Sequence, residues 1–334
     1  MTTRIGINGF GRIGRDFVRV ARAMPDLEIV AVNDLTDTRT LAHLLTYDST
    51  YGRLDAEVGY DQSSVIVDGR AIRATAGRDP ADLDWGAVGA DIVIESTGKF
   101  RTRDQAALHL KAGARKVIIS APGKGEDATI VIGVNDGIYD GEVHDVISAA
   151  SCTTNCVVPM VKVLHDTFGI QRGFMTTVHA YTGDQVVLDY PHKDLRRARS
   201  AAVNIIPTTT GAARAAALVI PELSGRLDGI ALRVPVEDAS MTDLAVVLDR
   251  EATADEINQA FKAAADRPLR HILRYTTDPI VSRDVIGDPH SCVLDASLTQ
   301  ANGSLAKVFG WYDNEWGYTS RLADLALLVG RELP

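Results

Sequence analysis

Three cysteines in 334 residues, at 152, 156 and 292, are too few and too scattered for a disulfide framework. They form no paired CxxC motif, so no metal site is expected, and the usage fits a reducing, cytoplasmic compartment. No apolar run approaches the roughly 18 residues of a membrane span. The opening Met-Thr-Thr-Arg leads straight into a strand pattern rather than an export signal. Excess positive charge is missing too. Lys and Arg total 35 against 44 Asp and Glu, giving a formal charge of −9 and a pI near 5.4. That balance argues against nucleic acid as a primary partner and against an anionic membrane surface. Internal repeats and low-complexity tracts are absent, although residues 196–217 are rich in Ala and Arg. What remains is ordinary globular material. Apolar content of 46% and charged content of 24%, over this length, allow two domains with separate cores.

The first half reads as a dinucleotide-binding domain. Arg4 to Asn8 is a short strand that runs into Gly9-Phe10-Gly11-Arg12-Ile13-Gly14, a GxGxxG turn. A helix over 12–24 follows, stopped by Pro25, and residues 27–32 form a second apolar strand ending at Asn33-Asp34. Asp34 stands about 20 positions beyond the turn, where an acid bonds the adenosine ribose. Strand, glycines, helix, strand and terminal acid together predict a nucleotide site, with the pyrophosphate at the helix N-terminus. A carboxylate there would repel a 2′-phosphate, which favours NAD over NADP. Further strands are expected at 91–95, 116–120, 129–132 and 145–148, with a crossover helix over 102–112. The turns at Ser96-Thr97 and Ser120 end two of these strands and should border the cofactor.

The second half has a different texture. Residues 151–156 read Ser-Cys-Thr-Thr-Asn-Cys, a cap residue followed by a cysteine at the start of a helix to about 168. Unpaired backbone N–H groups and the helix dipole favour a thiolate at Cys152; a buried structural cysteine is the alternative. Cys156 lies four residues on, along the same helix face, and reads as structural. Strands follow at 173–178, leading to His179, and at 228–234, 241–248, 291–295 and 306–311. Thr253-Ala254-Asp255-Glu256 is a capping box opening a helix to about 265. A last helix begins near 315 and ends by 331. The fold class is therefore α/β: a Rossmann domain over 1–150, completed by the helix 315–334, plus an α+β catalytic domain over 151–314 with a mostly antiparallel sheet.

Several stretches resemble glyceraldehyde-3-phosphate dehydrogenases. They are Ile7 to Gly14, Ser151 to Cys156, Thr176-Thr177-Val178-His179, Asp194 to Arg199, Pro207 to Gly211 and Trp311-Tyr312-Asp313-Asn314-Glu315. The resemblance spans essentially the whole chain. It implies an NAD-dependent, phosphorylating aldehyde dehydrogenase in which Cys152 is the nucleophile and His179 the base. Arg78, Asn314 and Tyr318 join the cofactor group. Thr182, Asp184 and Arg233 match positions around the substrate phosphate; Ser151, Thr153, Arg199, Thr210 and Gly211 match those around inorganic phosphate. Glyceraldehyde 3-phosphate and inorganic phosphate are the implied partners, and residues 181–206 would form the inter-subunit loop of a homotetramer. Erythrose-4-phosphate dehydrogenase is the near rival, and a non-enzymatic scaffold the distant one. Some positions depart from the family pattern: Ala149, Gly183, Val186-Val187, Tyr190 and Glu237-Asp238. They are compatible with a diverged copy tolerant of a thiol-reactive inhibitor.

Overall fold

The computed structural model describes residues 2–333. The chain packs as two compact units. One comprises the described residues up to Ile130, Asp136–Ala150 and the described residues from Thr319; the other comprises Val131–Asn135 and Ser151–Tyr318. The boundary thus falls inside the last helix, Trp316–Arg331, rather than at 315. Its first turn belongs to the second unit because Asp313 Oδ1 accepts the N–H groups of both Glu315 and Trp316.

The first unit is built on a nine-stranded sheet. Its order is Ala128–Thr129, Val146–Ser148, Lys116–Ile119, Ile92–Glu95, Thr3–Asn8, Leu27–Asn33, Arg70–Thr75, Ser64–Val67 and Val58–Tyr60. Pairing is parallel as far as Arg70–Thr75 and antiparallel through the last two strands. The apolar runs that mark the central strands supply its core: Ile5, Ile7, Ile92, Val93, Ile94, Val117 and Ile118 are sealed from solvent. Strands buried on both faces read as continuous Ile/Val runs, as these do.

Three expected elements change. The first helix ends at Ala21, not 24. There the N–H groups of Ala23 and Met24 reach Val20 and Ala21, three residues back, which tightens the last turn ahead of Pro25. The helix expected over 102–112 is two short ones, Arg103–Ala106 and Leu108–Lys111, joined through Ala107 at ψ −10. The strand over 129–132 shortens to Ala128–Thr129, since its neighbour Val146–Ser148 offers only three residues to pair with.

In the second unit an eight-stranded sheet runs Ile206–Thr209, Leu227–Val234, Ile170–Ala180, Ser240–Leu248, Leu305–Tyr312, Cys292–Asp295, Leu273–Thr276, with Gln300–Asn302 beside Leu305–Tyr312. Two pairings are parallel and the rest antiparallel. Helices Cys152–Phe168, Ala212–Val219 and Ala254–Asp266 cover one face. The strand Ser240–Leu248 accordingly alternates buried and half-buried residues along its length. Packing of the cysteine helix on this sheet requires Gly310: a Cβ there would lie 2.5 Å from Cys292 Sγ and 2.7 Å from Met160 Sδ. On the opposite face Phe174 is 74% exposed and Ile230 49%.

Candidate active site

Ser151 caps the helix Cys152–Phe168, its Oγ accepting the Thr154 N–H at 3.0 Å. Cys152 is therefore the first helical residue, among the N–H groups that the helix leaves unpaired. The residue leading into the cap, Ala150, is held at φ 57, a left-handed conformation costly for alanine. His179 arrives on a different element, one residue from the end of Ile170–Ala180. Its Nε2 stands 3.4 Å from Cys152 Sγ.

The hydrogen bonds behind the imidazole settle its tautomer. Nδ1 lies 2.7 Å from the Ala180 carbonyl, which can only accept, and 3.0 Å from Arg233 Nη1, which can only donate; the shorter contact, with Arg233 bonding the same carbonyl instead, assigns the proton to Nδ1. Arg233, the register partner of His179 on the neighbouring strand, donates from Nη1 to that same carbonyl at 3.0 Å. Nε2 is left with its lone pair toward the thiol. Tyr312 completes the frame. Its hydroxyl bridges Thr153 at 2.9 Å and Thr177 at 2.8 Å, and its ring meets His179 edge-on at 6.0 Å. Although Tyr312 sits inside a motif, no role attached to it from sequence.

Electrostatics hold both groups neutral when each is taken alone. Burial pushes the Cys152 thiol up to about 11, against the pull of Arg233 and of hydrogen bonds from Thr153. Burial also drives His179 down to about 3, and the Arg233 guanidinium works in the same direction. The standing thiolate expected from the helix terminus is thus opposed by desolvation. Transfer of the proton from Sγ to Nε2 creates two opposite charges at contact, each of which stabilises the other.

Cations and hydroxyls surround this pair. Arg233 Nε is buried without a hydrogen-bond partner, a donor suited to an anion. Arg197 bonds Asp184 at 2.5 Å and Thr208 at 3.0 Å, and its charge reaches both His179 and Arg233. Burial raises the Asp184 carboxyl, but the Arg197 hydrogen bond and charge outweigh it and hold it below the usual range. Arg199 is not brought to this group. Its guanidinium is exposed and pairs with Asp189 at 2.8 Å, because the loop turns back on itself where Tyr190 N–H meets the Ala198 carbonyl. Arg197, two residues earlier, is the guanidinium whose charge acts on His179 and Arg233. Thr182 lies in the loop after the His179 strand, its carbonyl bonded by Gln185 N–H. Thr210 and Gly211 stand at the start of Ala212–Val219, where Thr210 Oγ1 accepts the Ala212 N–H.

Asn314 is buried nearby, its Oδ1 accepting a 2.6 Å bond from Ser240 Oγ. Tyr318 is buried as well; desolvation pushes its phenol well above 10, with Cys152 adding to the rise.

The first unit gathers the remaining predicted residues at the C-terminal ends of its central strands. Gly9 has φ 94, and a Cβ on it would lie 2.7 Å from Thr97 N. A Cβ on Gly14 would lie 2.3 Å from the Gly9 carbonyl. A Cβ on Gly11, by contrast, would meet nothing within 4 Å beyond its chain neighbours, so the turn is tight within and open outward, as a backbone cradle for pyrophosphate must be. Asp34 Oδ2 accepts the Phe10 N–H at 2.8 Å, which places the carboxylate against that turn. Ile13 lies within the helix, and Arg12 at its start pairs with Asp48. Ser96 Oγ donates to the Gly9 carbonyl at 2.7 Å, and Thr97 bonds Glu95. Ser120 N–H reaches the Glu95 carbonyl, while Arg78 is exposed just after Gly77, whose N–H bonds Asn33. Glu95 accepts from Asn8, His109 and Thr97 together, a buried floor for the turn that no short motif announces. Among the described residues no cluster of three His, Cys, Asp or Glu could hold a metal, and no helix is long and apolar enough to cross a membrane.

Comparison with known proteins matches residues 3–103 to the NAD binding domain of glyceraldehyde 3-phosphate dehydrogenase and residues 151–314 to its C-terminal domain. Curated relatives are similar over the full chain. A glyceraldehyde-3-phosphate dehydrogenase of Streptomyces coelicolor is 61% identical, covering 100% of both chains. One from Geobacillus stearothermophilus is 58% identical over 98% of each, and one from Mycobacterium tuberculosis 58% over 100% of each.

Proposed function

The chain belongs to the glyceraldehyde-3-phosphate dehydrogenase family, and from that premise we infer how its own residues carry the reaction. It oxidises glyceraldehyde 3-phosphate to 1,3-bisphosphoglycerate with NAD and inorganic phosphate. The observation that carries the mechanism is the 3.4 Å approach of Cys152 Sγ to an unprotonated His179 Nε2. Nε2 takes the thiol proton as sulfur attacks the aldehyde carbon, giving a thiohemiacetal. The Cys152 N–H and the protonated imidazole stabilise the developing oxyanion, which then takes the proton from Nε2 to become the thiohemiacetal hydroxyl and leaves His179 free to act as base again. His179 then receives the hydroxyl proton as the carbon is oxidised to a thioester. The Gly9 to Gly14 turn, Asp34, Arg78, Ser96, Thr97, Ser120, Asn314 and Tyr318 would hold NAD, which when bound would supply the hydride acceptor. Asp34 disfavours a 2′-phosphate by charge alone. Phosphate attacks the thioester carbon, and sulfur leaves as a thiolate that Arg233 favours.

Arg233, with its unpartnered Nε, together with Thr182 and Asp184, serves the substrate phosphate. Ser151, Thr153, Thr210, Gly211 and Arg197, in place of Arg199, serve the attacking phosphate. The exposed apolar face at Phe174 and Ile230, with Leu188, Tyr190, Val203 and Ile205 exposed in the 181–206 loop, supports self-association into a homotetramer. A cytoplasmic location completes the reading.

The test is NADH formation from glyceraldehyde 3-phosphate with and without phosphate, run beside erythrose 4-phosphate. Turnover should require phosphate and favour the three-carbon aldehyde. Phosphate-independent turnover, or preference for the four-carbon one, would overturn the assignment.

A further inference from the structure

Asp238 is fully buried and Asp313, the neighbour of Asn314, is 1% exposed. Their carboxyl groups lie within hydrogen-bonding reach of each other. Such a bond needs one proton, and geometry says which residue holds it. Asp313 Oδ1 already accepts the N–H groups of Glu315 and Trp316, and its Oδ2 accepts that of Gly287 at 2.7 Å. Three N–H donors on one carboxyl commit both Asp313 oxygens as acceptors. The proton therefore sits on Asp238.

The consequences run through short connections. Asp313 fixes the turn into the last helix, and Asn314 is the next residue. On the other side Ala239, held at φ 66, links Asp238 to Ser240, whose Oγ donates to Asn314 Oδ1. Asp238 thus bounds Asn314 from two directions: across the contact with Asp313 and along the chain to Ser240, where the strand begins.

We propose that Asp238 is a positioning residue for Asn314, its protonated carboxyl donating to Asp313 and so keeping the Asn314 amide set for the cofactor. The proposal rests on the reading that Asn314 contacts the bound NAD. Burial raises the Asp238 carboxyl to about 8, and the charges of Asp313 and then Glu315 push the same way, while the Ala239 N–H opposes. The other charged groups facing it are Glu237 and Arg283, paired with each other. They line, with Tyr181 and Asp238, a recess of about 270 Å³ through which a proton can exchange. Ionisation leaves two carboxylates in contact, and the pair must separate.

Three forms of the intact protein test this: wild type, Asp238→Asn, which keeps a donor but cannot ionise, and Asp238→Leu, which has none. NAD affinity is read by quenching of tryptophan fluorescence between pH 7 and 9. For a group near 8 the competent fraction falls from about 0.9 to about 0.1, so wild-type affinity should drop roughly tenfold. Asp238→Asn should flatten that slope to less than about twofold, and Asp238→Leu should bind weakly at both ends. A wild type as flat as Asp238→Asn, or an Asp238→Asn as steep as wild type, overturns the proposal.

Unfolding by denaturant, without NAD, supplies the second readout. The folded state retains a proton that the unfolded chain sheds above about 4, so wild-type stability falls with pH until about 8. The advantage of Asp238→Asn over wild type should therefore grow from pH 5 to 8 and then level. A constant difference overturns the buried proton itself. If wild type bound no NAD at pH 7, the cofactor reading would fail instead, and the unfolding comparison would still decide where the proton resides.

Discussion

Replacing His179 with asparagine removes the proton acceptor and keeps a polar side chain in its place. The effect can be sized from the site. Burial holds the Cys152 thiol near 11, and the base beside it is Nε2 at 3.4 Å. Without the imidazole the proton must leave to bulk water, and at pH 8 roughly one thiol in a thousand is ionised. General-base assistance is worth roughly 10²–10⁴ in rate, or about 3–5 kcal/mol of transition-state stabilisation. Turnover of His179→Asn should fall within that range.

Alkylation by iodoacetamide reports the same property without aldehyde, phosphate or NAD. In His179→Asn the rate should rise close to tenfold per pH unit from 7 to 10, because a group near 11 is still far below half-ionised there. The wild type should respond differently. Transfer from Sγ to Nε2 moves a proton within the pair and draws none from solution, so its rate should vary less steeply. At pH 7 it should exceed the variant's by at least about 10²-fold. Equal rates and equal slopes in the two proteins would show that His179 is not the acceptor, and the mechanism would fall.

Three further perturbations separate the remaining assignments. Arg197→Leu removes the partner of Asp184 and Thr208, and kcat/KM for phosphate should fall by at least about 10²-fold; Arg199→Leu, which breaks only an exposed pair, should stay within about twofold. Asp34→Ala deletes the charge set against a 2′-phosphate, so the NAD-to-NADP ratio of kcat/KM should drop by at least about tenfold in steady-state assays. Phe174→Glu places a charge on the exposed apolar sheet face, and sedimentation should shift from a multi-copy species toward a smaller one.

Local signals were legible where the chemistry is local. The cysteine helix begins at its Ser151 cap and runs to Phe168, as the residues indicated, and the Thr253–Glu256 capping box is present in full. The glycine turn and the place of Asp34 just beyond its strand follow from strand, spacing and φ requirements, whereas the bond from Phe10 N–H to Asp34 was not foreseen. Loop geometry was not legible in this way. Arg197 and Arg199 stand two apart in a segment with no helical or strand period, so only the fold of residues 189–200 can say which guanidinium turns inward. Tyr312 was equally hidden: its partners Thr153 and Thr177 lie 159 and 135 positions away. Desolvation is the third invisible quantity. A helix N-terminus predicts a stabilised thiolate, but what surrounds the sulfur decides whether that stabilisation outweighs burial.

That balance explains why the site is so heavily braced. A neutral thiol and a neutral imidazole attract each other weakly, so their 3.4 Å separation must be imposed from outside. Sγ is fixed by the helix, which lies close on the sheet because Gly310 leaves room for Met160 and Cys292. Nε2 is fixed by the strand, through the Nδ1–H bond to the Ala180 carbonyl and the Arg233 donor beside it. Tyr312 ties the two elements together, one hydrogen bond to a residue of each. The left-handed Ala150 shows that the approach to the cap carries strain that the surrounding contacts must offset. Arg233 then acts on both partners at once: it favours the thiolate and disfavours the imidazolium. The base therefore holds its proton only briefly, and the sulfur leaves the thioester without needing it back.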